Sequence, residues 1–159
     1  MSTETNLKLT PPKLLIFDWH GTLADNSGDL FPGIAETLAI LAKNNFILCL
    51  ATSMPQERMA ALLEENELDH CFTIVQTGDM GYQKPDPQML QAILLATDQL
   101  AVDALMIGDS VSDLIMATDA GVSAIAVLSG GDTNLTLQMA EPIAILENVN
   151  ELLSLLRVH

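Results

Sequence analysis

The chain has 159 residues, of which 21 are acidic and 6 are basic, so its formal net charge at pH 7 is −15. This length fits one domain, and the strong negative charge argues against non-specific nucleic-acid binding and against a role on anionic membranes. Hydrophobic residues make up 49% of the chain, which is enough for a sizeable core and leaves a homo-oligomer open, because apolar surface can be shared with a second copy.

The N-terminal segment and the cysteines indicate the cellular compartment of the protein. Residues 1–12 are polar, end in Pro11 and Pro12 and contain no apolar signal segment, so we predict a flexible tail followed by one domain over residues 13–159. Cys49 and Cys71 show no spacing pattern, which favours a reducing compartment without disulfides. No stretch reaches the roughly 18 apolar residues that a membrane helix needs. We therefore expect a cytoplasmic protein.

Short apolar runs alternate with segments of helical periodicity from residue 13 onward. The apolar runs predict strands at 14–17, 46–51, 71–75, 104–107 and 122–128, and a shorter run allows a sixth strand at 143–146. The segments between and after them predict helices at 34–43, 54–65, 86–97, 112–120, 134–139 and 149–156. Ser53 is the expected cap of the second helix, and Gly121 the expected end of the fourth.

The order and composition of these elements predict the fold class. Strands and helices alternate, and the strands are continuously apolar rather than alternating between apolar and polar residues. This combination predicts an α/β fold with a doubly wound, Rossmann-like parallel sheet of five to six strands and helices on both faces. Functional residues in such sheets gather at the carboxyl ends of the strands.

The first polar cluster follows the first predicted strand and begins Asp18-Trp19-His20-Gly21. An aspartate at the end of a buried strand, followed by a glycine that permits a tight turn, could be a functional carboxylate at the edge of the sheet. The same arrangement is common in turns where the carboxylate only accepts backbone hydrogen bonds. This cluster alone leaves both interpretations open.

Two aspartates, Asp109 and Asp113, lie four residues apart where the fourth predicted strand passes into a helix. Two carboxylates facing one crevice could hold a hard divalent cation through oxygen ligands. Alternatively, Asp109 or Ser110 caps the helix, and Asp113 is favoured by the positive end of the helix dipole.

Two further clusters could bind a phosphate group. The hydroxyl and backbone N–H groups of Thr52 and Ser53 could receive phosphate oxygens at a helix N-terminus, or the pair could only cap that helix. Lys84 precedes Pro85, and its charge could offset nearby carboxylates and a phosphoryl group, or it could be a surface lysine beside a helix boundary.

Together these clusters resemble the four motifs of the haloacid dehalogenase-like hydrolase superfamily, and the resemblance covers the chain after the tail. The matching segments, in chain order, are Asp18-x-x-Gly21-Thr22-Leu23, Thr52-Ser53, Lys84-Pro85 and Gly108-Asp109-x-x-x-Asp113. The stretch 108–121, with Ala117 and Ala120-Gly121, resembles the phosphoglycolate phosphatase-like branch in particular.

The resemblance implies a Mg²⁺-dependent phosphatase that hydrolyses a phosphate monoester through an aspartyl-phosphate on Asp18. It also implies that Mg²⁺ is held by the carboxylates of Asp18 and Asp109 and by the backbone carbonyl of His20, with Asp113 binding directly or through water. Thr52, Ser53 and Lys84 would bind the phosphate group, and Lys84 would also neutralise the nucleophile.

His20 is the main departure from the family pattern, because phosphatases of this superfamily usually carry a second aspartate at this position. Histidine is a capable general acid and base and could take over the proton transfer. Alternatively, turnover is impaired, and the chain is a pseudoenzyme, a domain that binds phosphate or protein. Haloacid dehalogenases also lack that aspartate, but they need no metal and do not keep the pair Asp109 and Asp113.

The spacing of the motifs predicts that a cap domain is absent. About 30 residues separate Asp18 from Thr52, which is enough for a loop, a helix and a strand only, and the gap from Thr52 to Lys84 is similar. Phosphonoacetaldehyde hydrolase, which has a similar first motif, relies on a lysine in such a cap. Without a cap the site should be open. We expect either that a second subunit of a homo-oligomer covers it or that the substrate, such as a phosphorylated macromolecule, is large enough to cover it. The other expected substrate class is a small phosphoester.

Overall fold

A computed structural model describes residues 11–159. Six parallel strands form one open sheet in the order β3-β2-β1-β4-β5-β6. The strands are β1 Leu14–Phe17, β2 Ile47–Ala51, β3 Ile74–Gln76, β4 Ala104–Gly108, β5 Ser123–Val127 and β6 Ala144–Leu146. The α/β class, the parallel sheet and the sixth strand are therefore confirmed. The tail predicted for residues 1–12 falls almost entirely outside the described residues.

Six α-helices connect or follow the strands. They are α1 Ile34–Lys43, α2 Gln56–Glu65, α3 Gln88–Thr97, α4 Val111–Asp119, α5 Asn134–Gln138 and α6 Leu152–Leu156. Short 3₁₀ turns at Ala101–Asp103 and Val149–Glu151 precede β4 and α6. No helix among residues 11–159 is long and apolar enough to span a membrane.

The central strand β1 shows why both faces of the sheet are covered. Successive side chains of a strand point to opposite faces, and all four residues of β1 are fully buried. Leu15 and Phe17 pack in one apolar core with residues of α1, α2 and α6. Leu14 and Ile16 pack in a second core with residues of α3, α4 and α5. The sheet is therefore doubly wound, as predicted.

Several element boundaries differ from the sequence prediction by two or three residues, and two of them show the physical cause. The third strand was expected from residue 71, but it begins at Ile74, because Cys71 is still in the turn after α2 and donates its N–H to the Leu68 carbonyl. The helix expected from residue 86 begins at Gln88, since the Asp86 carboxylate accepts a hydrogen bond from the Gln88 N–H at 2.9 Å and so precedes the helix.

No separate cap domain occurs within residues 11–159. Between β1 and β2 the chain forms a loop over residues 18–33 and helix α1. We call residues 20–31 the flap loop, in which Ala24 bridges antiparallel to Leu30. Between β2 and α3 the chain contains only α2, β3 and a loop. The carboxyl ends of the central strands are therefore covered by loops alone.

Candidate active site

The carboxyl ends of β1, β2 and β4 bring three predicted site residues together. Asp18 follows β1, Thr52 follows β2 and Asp109 follows β4, and these strands are neighbours in the sheet. All three residues are buried. Parallel pairing, with Phe17 opposite Leu50 and Ile107, places the three strand ends at one edge of the sheet.

Three carboxylates meet at this edge. Each of Asp18, Asp109 and Asp113 contributes an oxygen, and the three oxygens lie within 4.8 Å of one another. The Thr22 hydroxyl lies 3.2 Å from Oδ1 of Asp109 and 3.4 Å from Oδ2 of Asp18, and so it can donate to either. This arrangement offers several anionic oxygen donors at one point, which is the donor set that a hard divalent cation prefers.

Lys84 supplies a positive charge within this cluster. Its Nζ lies 2.6 Å from Oδ1 of Asp18 and 2.6 Å from Oδ1 of Asp113, and its side chain is only 8% exposed. The contact to Asp18 has hydrogen-bond geometry. Although burial favours the neutral amine, the charges of the two aspartates raise the pKa of Lys84 above its usual value. Lys84 is therefore a permanent cation at neutral pH.

Lys84 compensates the negative charge of Asp18 and Asp113 only in part. Burial raises the pKa of Asp18 from 3.8 to about 6, and the attraction of Lys84 offsets only part of that effect. Burial, together with repulsion from Asp18, likewise raises the pKa of Asp113 from 3.8 to about 6. A second, divalent cation at this point would stabilise the ionised forms of both groups.

The start of α4 holds Asp113 in place. Ser110 is the N-cap of this helix: its Oγ accepts from the Asp113 N–H at 3.3 Å and donates to Oδ2 of Asp113 at 3.0 Å. Of the two caps that the sequence allowed, Ser110 is therefore the one used, while Asp109 faces the other carboxylates. Asp113 both occupies the first turn of the helix and contributes to the cluster, so its two interpretations are not exclusive.

Ser53 does not cap α2, contrary to the prediction. The helix begins at Gln56 after Pro55, and the Gln56 N–H donates instead to the Asp79 carboxylate, with distances of 3.1 and 3.2 Å to its two oxygens. The reason is a turn before the helix, in which the Thr52 hydroxyl accepts from the Met54 N–H at 3.1 Å. This turn leaves the exposed Ser53 at the rim of the site.

A cavity of about 500 Å³ opens over the carboxylates. Its lining includes all the predicted site residues except Asp113, which lies behind Lys84: Asp18, His20, Thr52, Ser53, Lys84 and Asp109. His20 is exposed, in contrast to the buried Asp18 two residues before it. The side chain of His20 is therefore free to approach a molecule bound in this cavity.

Comparison with known proteins identifies the family. The family model of the haloacid dehalogenase-like hydrolases matches residues 8–127. The chain belongs to the haloacid dehalogenase-like hydrolase family.

Individual members of the family support this assignment. The chain is 40% identical over 128 residues to the probable phosphatase IndB of Dickeya dadantii, covering 78% of this chain and 54% of that protein. It is 32% identical over 126 residues to phosphoglycolate phosphatase 1 of Pseudomonas aeruginosa, covering 79% and 46%. The chain thus spans about half the length of the curated relatives that it matches.

Solved structures show the same fold. A predicted phosphoglycolate phosphatase from Haemophilus somnus superposes with a TM-score of 0.74 and 25% identity, covering 79% of this chain and 56% of that one. A hydrolase from Pseudomonas syringae superposes with a TM-score of 0.80 and 22% identity, covering 91% and 98%.

One segment of this haloacid dehalogenase-like hydrolase that contacts the site was not predicted from the sequence. In the loop after β5, the Ser129 hydroxyl donates to the Gly21 carbonyl at 2.8 Å, and the Asp132 carboxylate accepts from the Val111 N–H at 3.0 Å. Between them, Gly130 packs directly against Asp109, so that a Cβ at this position would overlap Oδ2 of that carboxylate. The pair Gly130-Gly131 after a buried strand was the available signal.

Trp19, the only tryptophan, lies beneath the site rather than lining it. Its side chain is fully buried in the apolar core on the α1 side of the sheet, next to Phe17 and Leu23. Trp19 therefore packs below the first motif and lines neither the cavity over the carboxylates nor its neighbour.

Proposed function

We propose that this chain hydrolyses phosphate monoesters with Mg²⁺, through an aspartyl-phosphate formed on Asp18. The observation that carries the proposal is the group of three buried carboxylates, Asp18, Asp109 and Asp113, at the end of a sheet with Lys84 between two of them. A domain that only needs to fold gains nothing from this arrangement, because burying three like charges is costly. The phosphatase names of its relatives support the same activity.

The carboxylates suit Mg²⁺. Asp18, Asp109 and Asp113 would hold the ion together with the backbone carbonyl of His20, all of them oxygen donors. When bound, Mg²⁺ screens the charge of the carboxylates from that of the phosphate and polarises the phosphoryl oxygens. The raised pKa values of Asp18 and Asp113, both about 6, fit a site that takes a further cation.

In the first half of the reaction, a carboxylate oxygen of Asp18 attacks phosphorus, and the bond from phosphorus to the leaving oxygen breaks. Lys84, 2.6 Å from Asp18, neutralises charge on the nucleophile and on the transferring group. Thr52 and Ser53 line the same cavity and donate hydrogen bonds to phosphoryl oxygens. These donors fix the group in line with Asp18.

His20 carries the proton in this mechanism. It donates a proton to the leaving alkoxide in the first step. It then takes a proton from the water that attacks phosphorus and breaks the bond between phosphorus and the Asp18 oxygen. Its exposed position in the cavity lining suits this role. The products are an alcohol and inorganic phosphate, and both Asp18 and His20 return to their starting states.

Phosphate release from p-nitrophenyl phosphate with Mg²⁺ tests the function. We expect activity in the wild type, none in Asp18→Asn, a loss of about 100-fold in His20→Ala and substantial activity in His20→Asp, which restores a proton donor. Activity of Asp18→Asn equal to wild type would exclude the covalent mechanism. If His20→Ala matched wild type, proton transfer by His20 would be wrong.

A trapping experiment tests the nucleophile without turnover. Beryllium fluoride with Mg²⁺ should bind the Asp18 carboxylate of the wild type as a mimic of an acyl-phosphate, and it should not bind Asp18→Asn. Trapping without turnover would indicate a phosphate-binding domain that has lost catalysis. No trapping would contradict a competent nucleophile.

A further inference from the structure

A second cavity adjoins the one above the carboxylates. It has a volume of about 520 Å³, and His20 and Asp109 line both cavities. Its walls come from the flap loop and from the loop after β5, and they include Asp25, Asn26, Phe31 and Ser129. A molecule whose phosphate sits over Asp18 has the rest of its structure directed either to solvent or into this cavity.

The wall formed by the flap loop is ordered by its own hydrogen bonds. One oxygen of the Asp25 carboxylate, Oδ1, accepts from the N–H groups of Ser27 at 2.9 Å and Asp29 at 3.1 Å. The antiparallel bridge between Ala24 and Leu30 closes the same loop. Asp25 is thus held at the cavity wall, and its second carboxylate oxygen remains able to accept a hydrogen bond from a bound molecule.

The charges around the two cavities are unequal. Among residues 11–159, Lys84 is the only lysine or arginine that lines either cavity, and it lines only the first. Its amine already contacts two carboxylates at 2.6 Å. The second cavity has the carboxylates of Asp25 and Asp109 in its walls. His20 also lines it, but in the proposed mechanism this side chain transfers the proton and does not pair with a negative group of the substrate. A negatively charged leaving group would meet like charges there and no free basic partner.

We propose that the second cavity receives the leaving group of the substrate, and that Asp25 selects a neutral or cationic group bearing hydroxyl or amino donors over a carboxylate. The proposal rests on the phosphatase function above and adds the substrate class. It separates this chain from the relatives named phosphoglycolate phosphatase, since the leaving group of phosphoglycolate, glycolate, carries a carboxylate. Asp25 is the specificity-determining residue. Its second carboxylate oxygen accepts a hydrogen bond from the hydroxyl or amino group of the leaving group.

Three phosphate esters of equal length but different charge test the inference. They are ethanolamine phosphate, ethylene glycol phosphate and 2-phosphoglycolate, whose leaving groups carry a positive charge, no charge and a negative charge. We expect the wild type to prefer the first two over 2-phosphoglycolate by about tenfold or more in kcat/KM. Asp25→Asn should reduce the ratio of ethanolamine phosphate to 2-phosphoglycolate about fivefold or more, since asparagine keeps the turn but removes the charge.

Asp29→Asn is the matched control, because Asp29 is an exposed acid of the same flap loop that does not line the cavity. It makes the same change in net charge and should leave the ratio unchanged. A wild type that prefers 2-phosphoglycolate, or equal shifts in the two variants, would overturn the inference.

Failure of the leaving-group proposal can be distinguished from failure of the proposed phosphatase function. If neither these esters nor p-nitrophenyl phosphate is hydrolysed, the phosphatase proposal fails, and calorimetric titration of the three esters onto the wild type with Mg²⁺ gives the order of affinity. Weakest binding of 2-phosphoglycolate, relieved in Asp25→Asn, would still support the leaving-group cavity. Equal affinities, a reversed order or no binding of any ester would overturn it.

Discussion

At the scale of single residues, Lys84 determines how three buried carboxylates can coexist. It is itself buried and contacts Asp18 and Asp113 at 2.6 Å each. Removing one partner of a buried ion pair leaves uncompensated charge, which costs about 3–5 kcal/mol. Lys84 is a single cation that contacts two anions, Asp18 and Asp113, so the removal of its charge affects both carboxylates.

We therefore expect Lys84→Met to lower the free energy of unfolding by about 3 kcal/mol at pH 8 without divalent cations. The loss should shrink toward pH 5, where Asp18 and Asp113, each with a pKa of about 6, become neutral in the folded protein. Urea unfolding at the two pH values measures this difference. Hydrolysis of p-nitrophenyl phosphate should fall at least about 100-fold.

Lys43→Met is the matched control for this prediction. Lys43 is exposed in the last turn of α1 and has no ion pair among the described residues. Its replacement should change stability by no more than about 0.5 kcal/mol at either pH. If both variants lost stability equally, the buried pairs of Lys84 would not be the cause.

At the scale of elements, the loop after β5 supports Asp109, one of the proposed metal ligands, from a part of the chain that contains none of these ligands. Gly130 leaves no room for a Cβ beside Asp109, whereas a Cβ at the adjacent Gly131 would meet nothing within 4 Å. Neither glycine has a positive φ, so alanine is strained at neither position by its backbone. The two positions therefore differ only in what a methyl group would touch.

We expect Gly130→Ala to displace the Asp109 carboxylate and to raise the Mg²⁺ concentration needed for half-maximal activity at least about tenfold. Gly131→Ala should leave this concentration unchanged. Titration of activity with Mg²⁺ measures the effect, and thermal unfolding in a chelator shows whether either change disturbs the fold. Equal Mg²⁺ requirements in the two variants would contradict a supporting role for this loop.

The same loop shows where sequence reasoning ends. The six strands, the parallel type of their sheet and the clustering of Asp18, Thr52 and Asp109 follow from apolar runs and from polar residues at strand ends, whereas the order of the strands in the sheet was not predicted. Such patterns can be recognised because they involve residues that are close together in the sequence. The contact of Gly130 with Asp109 joins residues 21 positions apart: the glycine pair after β5 indicates a close approach, but the local sequence does not indicate that Asp109 is the partner.

The boundaries that were wrong have a related cause. Ser53 has the residue type of a helix cap, but the N–H group at the start of α2 donates to Asp79, which lies 23 residues later. Likewise, the start of β3 depends on where Leu48 of the neighbouring strand accepts a hydrogen bond, from Thr73. Residue propensity predicted the presence of α2 and β3, whereas hydrogen bonds to residues distant in the chain contribute to where the two elements begin.

At the scale of the whole molecule, the strong negative charge divides into a surface part and a site part. Of the acidic side chains in residues 11–159, Asp18, Asp109 and Asp113 are the buried ones, and the others are at least partly exposed. The exposed acids are solvated and contribute little to stability individually. Asp18 and Asp113 instead oppose folding in their ionised forms, because burial raises the pKa of each, and this links stability to pH and to the proposed metal ion.

The pH dependence has a defined sign. A carboxyl whose pKa rises on folding, from 3.8 to about 6 for Asp18, binds a proton more readily in the folded state. The cost of keeping it ionised is therefore absent below about pH 4, grows through the interval up to pH 6, and is complete above it. Asparagine has the shape of the neutral carboxyl and carries no such cost.

In Asp18→Asn, Lys84 keeps its contact with Asp113, so no uncompensated cation is left. Without divalent cations, this variant should therefore be more stable than the wild type by about 2 kcal/mol at pH 8, and the difference should vanish near pH 4. Glu64→Gln, which changes an exposed carboxylate of α2, should show no comparable gain. Saturating Mg²⁺ should stabilise the wild type more than Asp18→Asn and so narrow the gap, because the variant has lost one ligand. A wild type that is the more stable protein at pH 8 in a chelator would show that Lys84 already compensates the cluster, and that the site has no remaining demand for a metal ion.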